Sequence, residues 1–128
     1  WIGCYGEIAL TRDAGDYYLV MFARPAADET VQADQGFLEL PVEYERILLN
    51  ASSVTLKVSL NFRDKKDMAD FFYEDNGSWK ALGIRHRLYF KLDHFTGCRF
   101  GLFTYATRQF GGCADFMKFR YQVGEENG

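Results

Sequence analysis

Along residues 54–63 apolar and polar positions alternate without exception. Val54, Leu56, Val58, Leu60 and Phe62 fall on one face of an extended strand, with Thr55, Lys57, Ser59 and Asn61 on the other. A polar run at 63–67 follows, and 68–75 returns as a second strand. Asn76-Gly77 supplies the positive φ angles of a tight hairpin, and 78–82 pairs back, which predicts a three-strand meander. Upstream, 2–11 and 17–23 read as strands joined at Arg12-Asp13-Ala14-Gly15-Asp16, a turn composition. Residues 26–36 carry two acidic clusters and no apolar period, and read as a surface loop. Residues 37–40 and 45–49 read as short strands interrupted by Pro41, although 42–49 also fits one or two helical turns. Downstream, 99–107 and 114–123 read as strands, the second with Met117, Phe119, Tyr121 and Val123 on one face. Residues 125–128 read as a frayed tail.

About ten strands with turn signals every 8–12 residues or so, and almost no helical period, predict a sandwich or barrel rather than a βαβ fold. We expect an all-β, antiparallel β-sandwich. No linker, repeat or composition shift marks an internal boundary, so residues 1–128 are expected to form one module, and 128 residues suffice for a core without disulfide or metal staples. The aromatic share of 17%, with Phe 12 and Tyr 8, suits a sheet, where rings pack on a pleated surface.

Charge and cysteine content narrow the function classes. A net charge of −3 provides no basic field for a phosphate backbone, so no nucleic-acid partner is expected. No apolar run approaches the roughly 20 residues of a membrane span, so no membrane partner is expected either. Cys4, Cys98 and Cys113 are an odd set without metal-ligand spacing. Buried free thiols in a reducing compartment, which would favour the cytoplasm, and a Cys98–Cys113 bridge are both open.

Glycoside hydrolysis needs two carboxyl groups about 5–10 Å apart across a sugar-sized cleft. The 18 carboxylates here cluster in turns (Asp13 and Asp16, Asp28 and Glu29, Asp64 and Asp67, Glu74 and Asp75), where solvation or capping of backbone amides is their ordinary role. His86 and His94 sit in no metalloprotease-like or triad-like setting, and no Gly-Xaa-Ser-Xaa-Gly elbow exists. Catalysis by these residues alone is not expected. Sugar stacking would use rings that fall off the buried phase of their strands: Tyr17 or Tyr18, Phe71 or Phe72 (Phe72 being preferred), and Tyr73 beyond them. Trp79, after the Asn-Gly turn, is a further candidate ring, although its size favours packing in the core, since large rings contribute most by burial.

Three blocks are more specific in their order than any one alone. They are Asn76-Gly77-Ser78-Trp79-Lys80-Ala81-Leu82-Gly83, then Phe95-Thr96-Gly97-Cys98-Arg99-Phe100-Gly101-Leu102, then Ala114-Asp115-Phe116-Met117-Lys118-Phe119-Arg120-Tyr121. Together they resemble the C-terminal concanavalin-A-like β-sandwich, a jelly roll, of family 43 glycoside hydrolases (β-xylosidases and α-arabinofuranosidases), best over residues 54–121. The resemblance implies a non-catalytic accessory module, excised from the C-terminal end of a larger hydrolase. Its implied partner is the catalytic β-propeller of the same parent chain, and its implied ligand a xylo-oligosaccharide or related plant glycan. In such enzymes the sandwich offers a loop whose aromatic residue helps close the substrate pocket. The matching positions are Phe95, with His94 as its neighbour, Phe95 being equally an ordinary strand-end core residue.

No cofactor is required by this reading. A structural Ca²⁺ is admitted, with Asp115 matching the first Asp of the family's Ala-Asp-Phe-Asp-like ending. Met117 replaces the second Asp and removes an oxygen from an ion that wants six to eight. Arg99 and the acidic loop at 26–36 are further departures from the pattern. An autonomous module that recognises xylan or another plant polysaccharide through surface rings is the alternative function, and a structural interaction domain without sugar contact is a third.

Overall fold

The computed structural model of the chain describes residues 5–24, 41–63, 68–87, 101–106, 108 and 111–124. The chain divides into two compact units, Trp1–Cys98 and Arg99–Gly128, each described by itself. The described residues contain strands and no α-helix, and no helix among them is long and apolar enough to cross a membrane.

The described residues of the first unit form seven strands in two antiparallel sheets. β1 (Tyr5–Asp13), β2 (Asp16–Arg24) and β3 (Val42–Leu49) form one, in that order. β4 (Leu56–Asn61), β5 (Met68–Asp75), β6 (Ser78–Ala81) and β7 (His86–Arg87) form the other. β5 is its centre, with β4 on one side and both β6 and β7 on the other. Two-residue turns close both hairpins. Ala14 (φ 50°) with Gly15 (φ 88°), and Asn76 (φ 50°) with Gly77 (φ 82°), take positive φ at both central positions, the twist that matches paired strands.

Residues 42–49 are a strand and not helical turns. The reason lies in a bulge: Phe22 pairs Glu43 while Met21 pairs Glu45, which leaves Tyr44 as an extra residue. It lets Val42, Ile47 and Leu49 share one face although their spacing breaks a period of two. It also puts Glu45 on that face, opposite Met21.

The core lies between the two sheets. Leu19, Met21 and Ala23 of β2 meet Ala69 and Phe71 of β5 and Leu82 just beyond β6, with Ile8, Leu10, Ile47, Leu49, Val54, Leu56, Leu60 and Tyr73 packed around them. Of the alternating set at 54–63, Val54, Leu56 and Leu60 join the core, whereas Val58 and Phe62 stay 43% and 53% exposed. Two glycines let the sheets close. A Cβ on Gly6 would lie 2.6 Å from the Phe71 ring, and one on Gly83 (φ 72°) would lie 2.5 Å from Met21. The Gly83 N–H donates to the Glu45 carboxylate, a hydrogen bond that ties β3 to the far sheet.

His86 is buried on the core face, opposite Ala69 and beside Gly6. Desolvation pushes its pKa below the ordinary 6.5, because burial penalises the imidazolium.

In the second unit, described residues of 99–107 and 114–123 form no strand, contrary to the expectation from their alternation. Met117, Phe119, Tyr121 and Val123 are 87%, 59%, 65% and 77% exposed. An apolar phase alone does not make a strand, which needs a neighbouring strand for its amides and carbonyls. The expected strand at 37–40, the loop at 26–36 and the tail at 125–128 lie outside the described residues.

Two outcomes follow from this packing. Gly83→Ala combines a left-handed backbone with overpacking against Met21 and should cost about 2–4 kcal/mol in urea unfolding; a loss within about 0.5 kcal/mol would contradict the close approach. For His86 the unfolded chain binds the proton more readily than the folded one, so stability is full above pH 6.5 and falls as pH drops through the lowered folded value. The slope approaches at most about 1.4 kcal/mol per pH unit. His86→Gln should flatten the dependence between about pH 7 and 5; an identical slope in the variant would contradict it.

Candidate functional site

Pairing register sorts the side chains of the second sheet onto two faces. Leu56, Leu60, Ala69, Phe71, Tyr73 and His86 share the core face. Tyr73, a sequence candidate for sugar stacking, therefore packs against the core cluster. Lys57, Ser59, Asp70, Phe72, Glu74 and Trp79 share the opposite, outward face.

Trp79 is on that outward face and 46% exposed, not in the core where its size suggested. It sits opposite Glu74, diagonal to Phe72. The Lys57 ammonium lies 4.5 Å from the centroids of both the Phe72 and the Trp79 rings. A cation over a ring face is favourable by about 0.5–1 kcal/mol at such exposed positions. One lysine thus clamps two aromatic rings across three strands.

Beside this clamp the sheet is notched. β6 pairs with β5 from Phe72 to Asp75, and the ladder runs one bond further, Leu82 N–H to Phe71 O at 2.8 Å. β7 resumes at Ala69 opposite His86. Gly83, Ile84 and Arg85 therefore stand opposite the single residue Asp70. The surplus arches away from β5 and leaves a depression of about 240 Å³ lined by Asp70, Phe71, Phe72, Ala81, Leu82, Gly83, Ile84 and Arg85. Gly83 begins the arch with its positive φ, held from beneath by Met21 and Glu45. Arg85 closes it with a two-pronged ion pair to Asp70, Nε to Oδ1 at 2.9 Å and Nη2 to Oδ2 at 3.1 Å. The Asp70 carboxylate raises the Arg85 pKa. No sequence signal marked this notch; Gly83 was the available clue, one residue past an apparent strand end.

The other ring candidates carry cations as well. Arg12 lies 5.7 Å from the Tyr17 ring, and Arg46 lies 5.1 Å from the Tyr18 ring. Both tyrosines are half-buried, Tyr18 on the outer face of its sheet and Tyr17 on the core face near its edge. Arg46 is also paired with Glu43, at 2.7 and 3.0 Å, which lowers the Glu43 pKa. Lys80 pairs with Asp75 at the hairpin mouth.

His94 and Phe95 lie outside the described residues, as do Cys4 and Cys98. Cys113 is a free, exposed thiol. Asp115 is exposed, and among the described residues no group of three or more His, Cys, Asp or Glu side chains could hold a metal ion.

Over residues 6–122 the chain matches the family described as the beta xylosidase C-terminal concanavalin A-like domain. The chain belongs to that family. The two antiparallel sheets agree with this assignment, and the module is an accessory one of the kind that beta xylosidases carry at their C-terminal end. No curated protein and no solved structure matches the module.

The clamp yields one outcome. Lys57→Met keeps the aliphatic stem and removes the cation, so it should lower unfolding free energy by about 0.5–1 kcal/mol and shift tryptophan emission. Unchanged emission and stability would contradict a Lys57 contact with Trp79.

Proposed function

We propose that this module is the non-catalytic C-terminal part of a xylosidase- or arabinofuranosidase-type glycoside hydrolase. It docks on the catalytic propeller of the same enzyme and helps to shape the pocket for short xylo-oligosaccharides. The observation that carries this reading is the family match over residues 6–122. Four of the described carboxylates are engaged in structural contacts: Glu45 with the Gly83 amide, Glu43 with Arg46, Asp70 with Arg85 and Asp75 with Lys80. Phe95, with His94 beside it, is the element proposed to reach the pocket, closing it against water as an apolar lid. A structural Ca²⁺ near Asp115 belongs to the same proposal, and it needs further oxygens beyond this one carboxylate.

The test is reconstitution. The chain is mixed with the separately produced propeller of its own enzyme, and the mixture is resolved by size-exclusion chromatography and assayed on nitrophenyl xyloside. Co-elution as a one-to-one complex is expected, with higher kcat/KM than the propeller alone and a loss of that gain in the Phe95→Ala chain. Separate elution, or turnover by the chain without the propeller, would contradict the proposal.

A further inference from the structure

The outward face of the second sheet carries a feature that the packing of the sandwich does not account for. Trp79 is among the largest apolar side chains of the fold, yet it stands 46% exposed on a strand of otherwise exposed residues. Leaving an indole at a surface forgoes much of the burial energy it could contribute. The Lys57 ammonium contacts both its ring and that of Phe72. Four residues along β5 from the position opposite Trp79, about 13 Å by strand rise, the Asp70–Arg85 pair spans the mouth of the notch. Phe72 stands between the two and lines the notch itself.

We propose that this strip, from Trp79 across Phe72 to the Asp70–Arg85 notch, binds a neutral oligosaccharide. The chemistry of each part fits that class. A sugar ring offers an apolar C–H face, which an exposed indole accepts by stacking. It also offers hydroxyls that donate and accept, which the paired carboxylate and guanidinium meet in one plane. Lys57 adds a donor between the two rings. Cations (Lys57, Arg85) and anions (Asp70, Glu74) are interspersed along the strip, so no single-sign field selects a charged chain. The notch, at about 240 Å³, is below the roughly 300–1,000 Å³ of drug-sized sites, which suits one ring seated there with its neighbours lying along the sheet. This binding strip does not rest on docking; a module that fails to join a propeller would still show it.

The test uses the full chain and titrates it separately with xylohexaose, cellohexaose and oligogalacturonate, following tryptophan emission and calorimetric heat. Trp79→Ala and Arg85→Gln are compared with the parent, each after its unfolding midpoint has been recorded. Saturable binding of at least one neutral oligosaccharide is expected, weakened at least about tenfold in both variants. Arg85→Gln sits on an exposed arch and carries the test if Trp79→Ala unfolds. No saturable binding of either neutral sugar would overturn the proposal, as would parental affinity in a folded variant or tighter binding of the acidic oligogalacturonate.

Discussion

The structure depends on how closely its two sheets can approach. Phe71 of one sheet presses on Gly6 of the other, and Met21 presses on Gly83, both at distances a Cβ could not share. Around these contacts Leu19, Met21, Ala23, Ala69, Phe71 and Leu82 are almost wholly removed from water. Burial of this kind is the dominant favourable contribution to a sandwich, and its density makes small shape changes costly. The Glu45 carboxylate adds direction to the same place: it crosses the gap to the Gly83 amide and fixes where the chain leaves β6.

From that fixed point the outer surface takes its form. Because Gly83 must turn beneath Met21 and Glu45, the strand after β6 cannot continue along β5, and three residues arch over Asp70 before His86 rejoins the sheet. The arch makes the notch and brings Arg85 to Asp70. A core contact and a surface depression are thus two sides of one backbone detour. Bulges commonly re-aim side chains in this way, and β3 repeats the device when the extra Tyr44 turns Glu45 inward.

Much of this was legible in the residue pattern. The extent of β5 and the Asn76-Gly77 hairpin followed from alternation and turn chemistry, because both are local properties of the chain. The family resemblance, carried mostly by residues 54–121, agrees with the match over 6–122. What local pattern could not supply was anything set by register between distant segments. The bulge at Tyr44 scrambled the period of β3, so helical turns fitted equally well. Trp79 looked like core by size, whereas pairing with Glu74 put it on the outward face. Tyr73 looked available for stacking, whereas its place opposite Leu56 put it against the core. Alternation also overreached at 114–123, where an apolar face alone does not create a strand. The notch arises from a mismatch between two ladders on one side of β5, and no single stretch of sequence encodes it.

The central claim is that both sheets share one core through the Met21–Gly83 and Phe71–Gly6 contacts. Native-state amide hydrogen exchange of the chain tests it most directly, since exchange reports which segments open together. The account predicts that amides of β2 around Leu19–Ala23 and of β5 around Ala69–Phe71 exchange at one common slow rate, set by global unfolding. Slow exchange confined to β1–β3 alone, with β4–β7 opening independently and far faster, would contradict it.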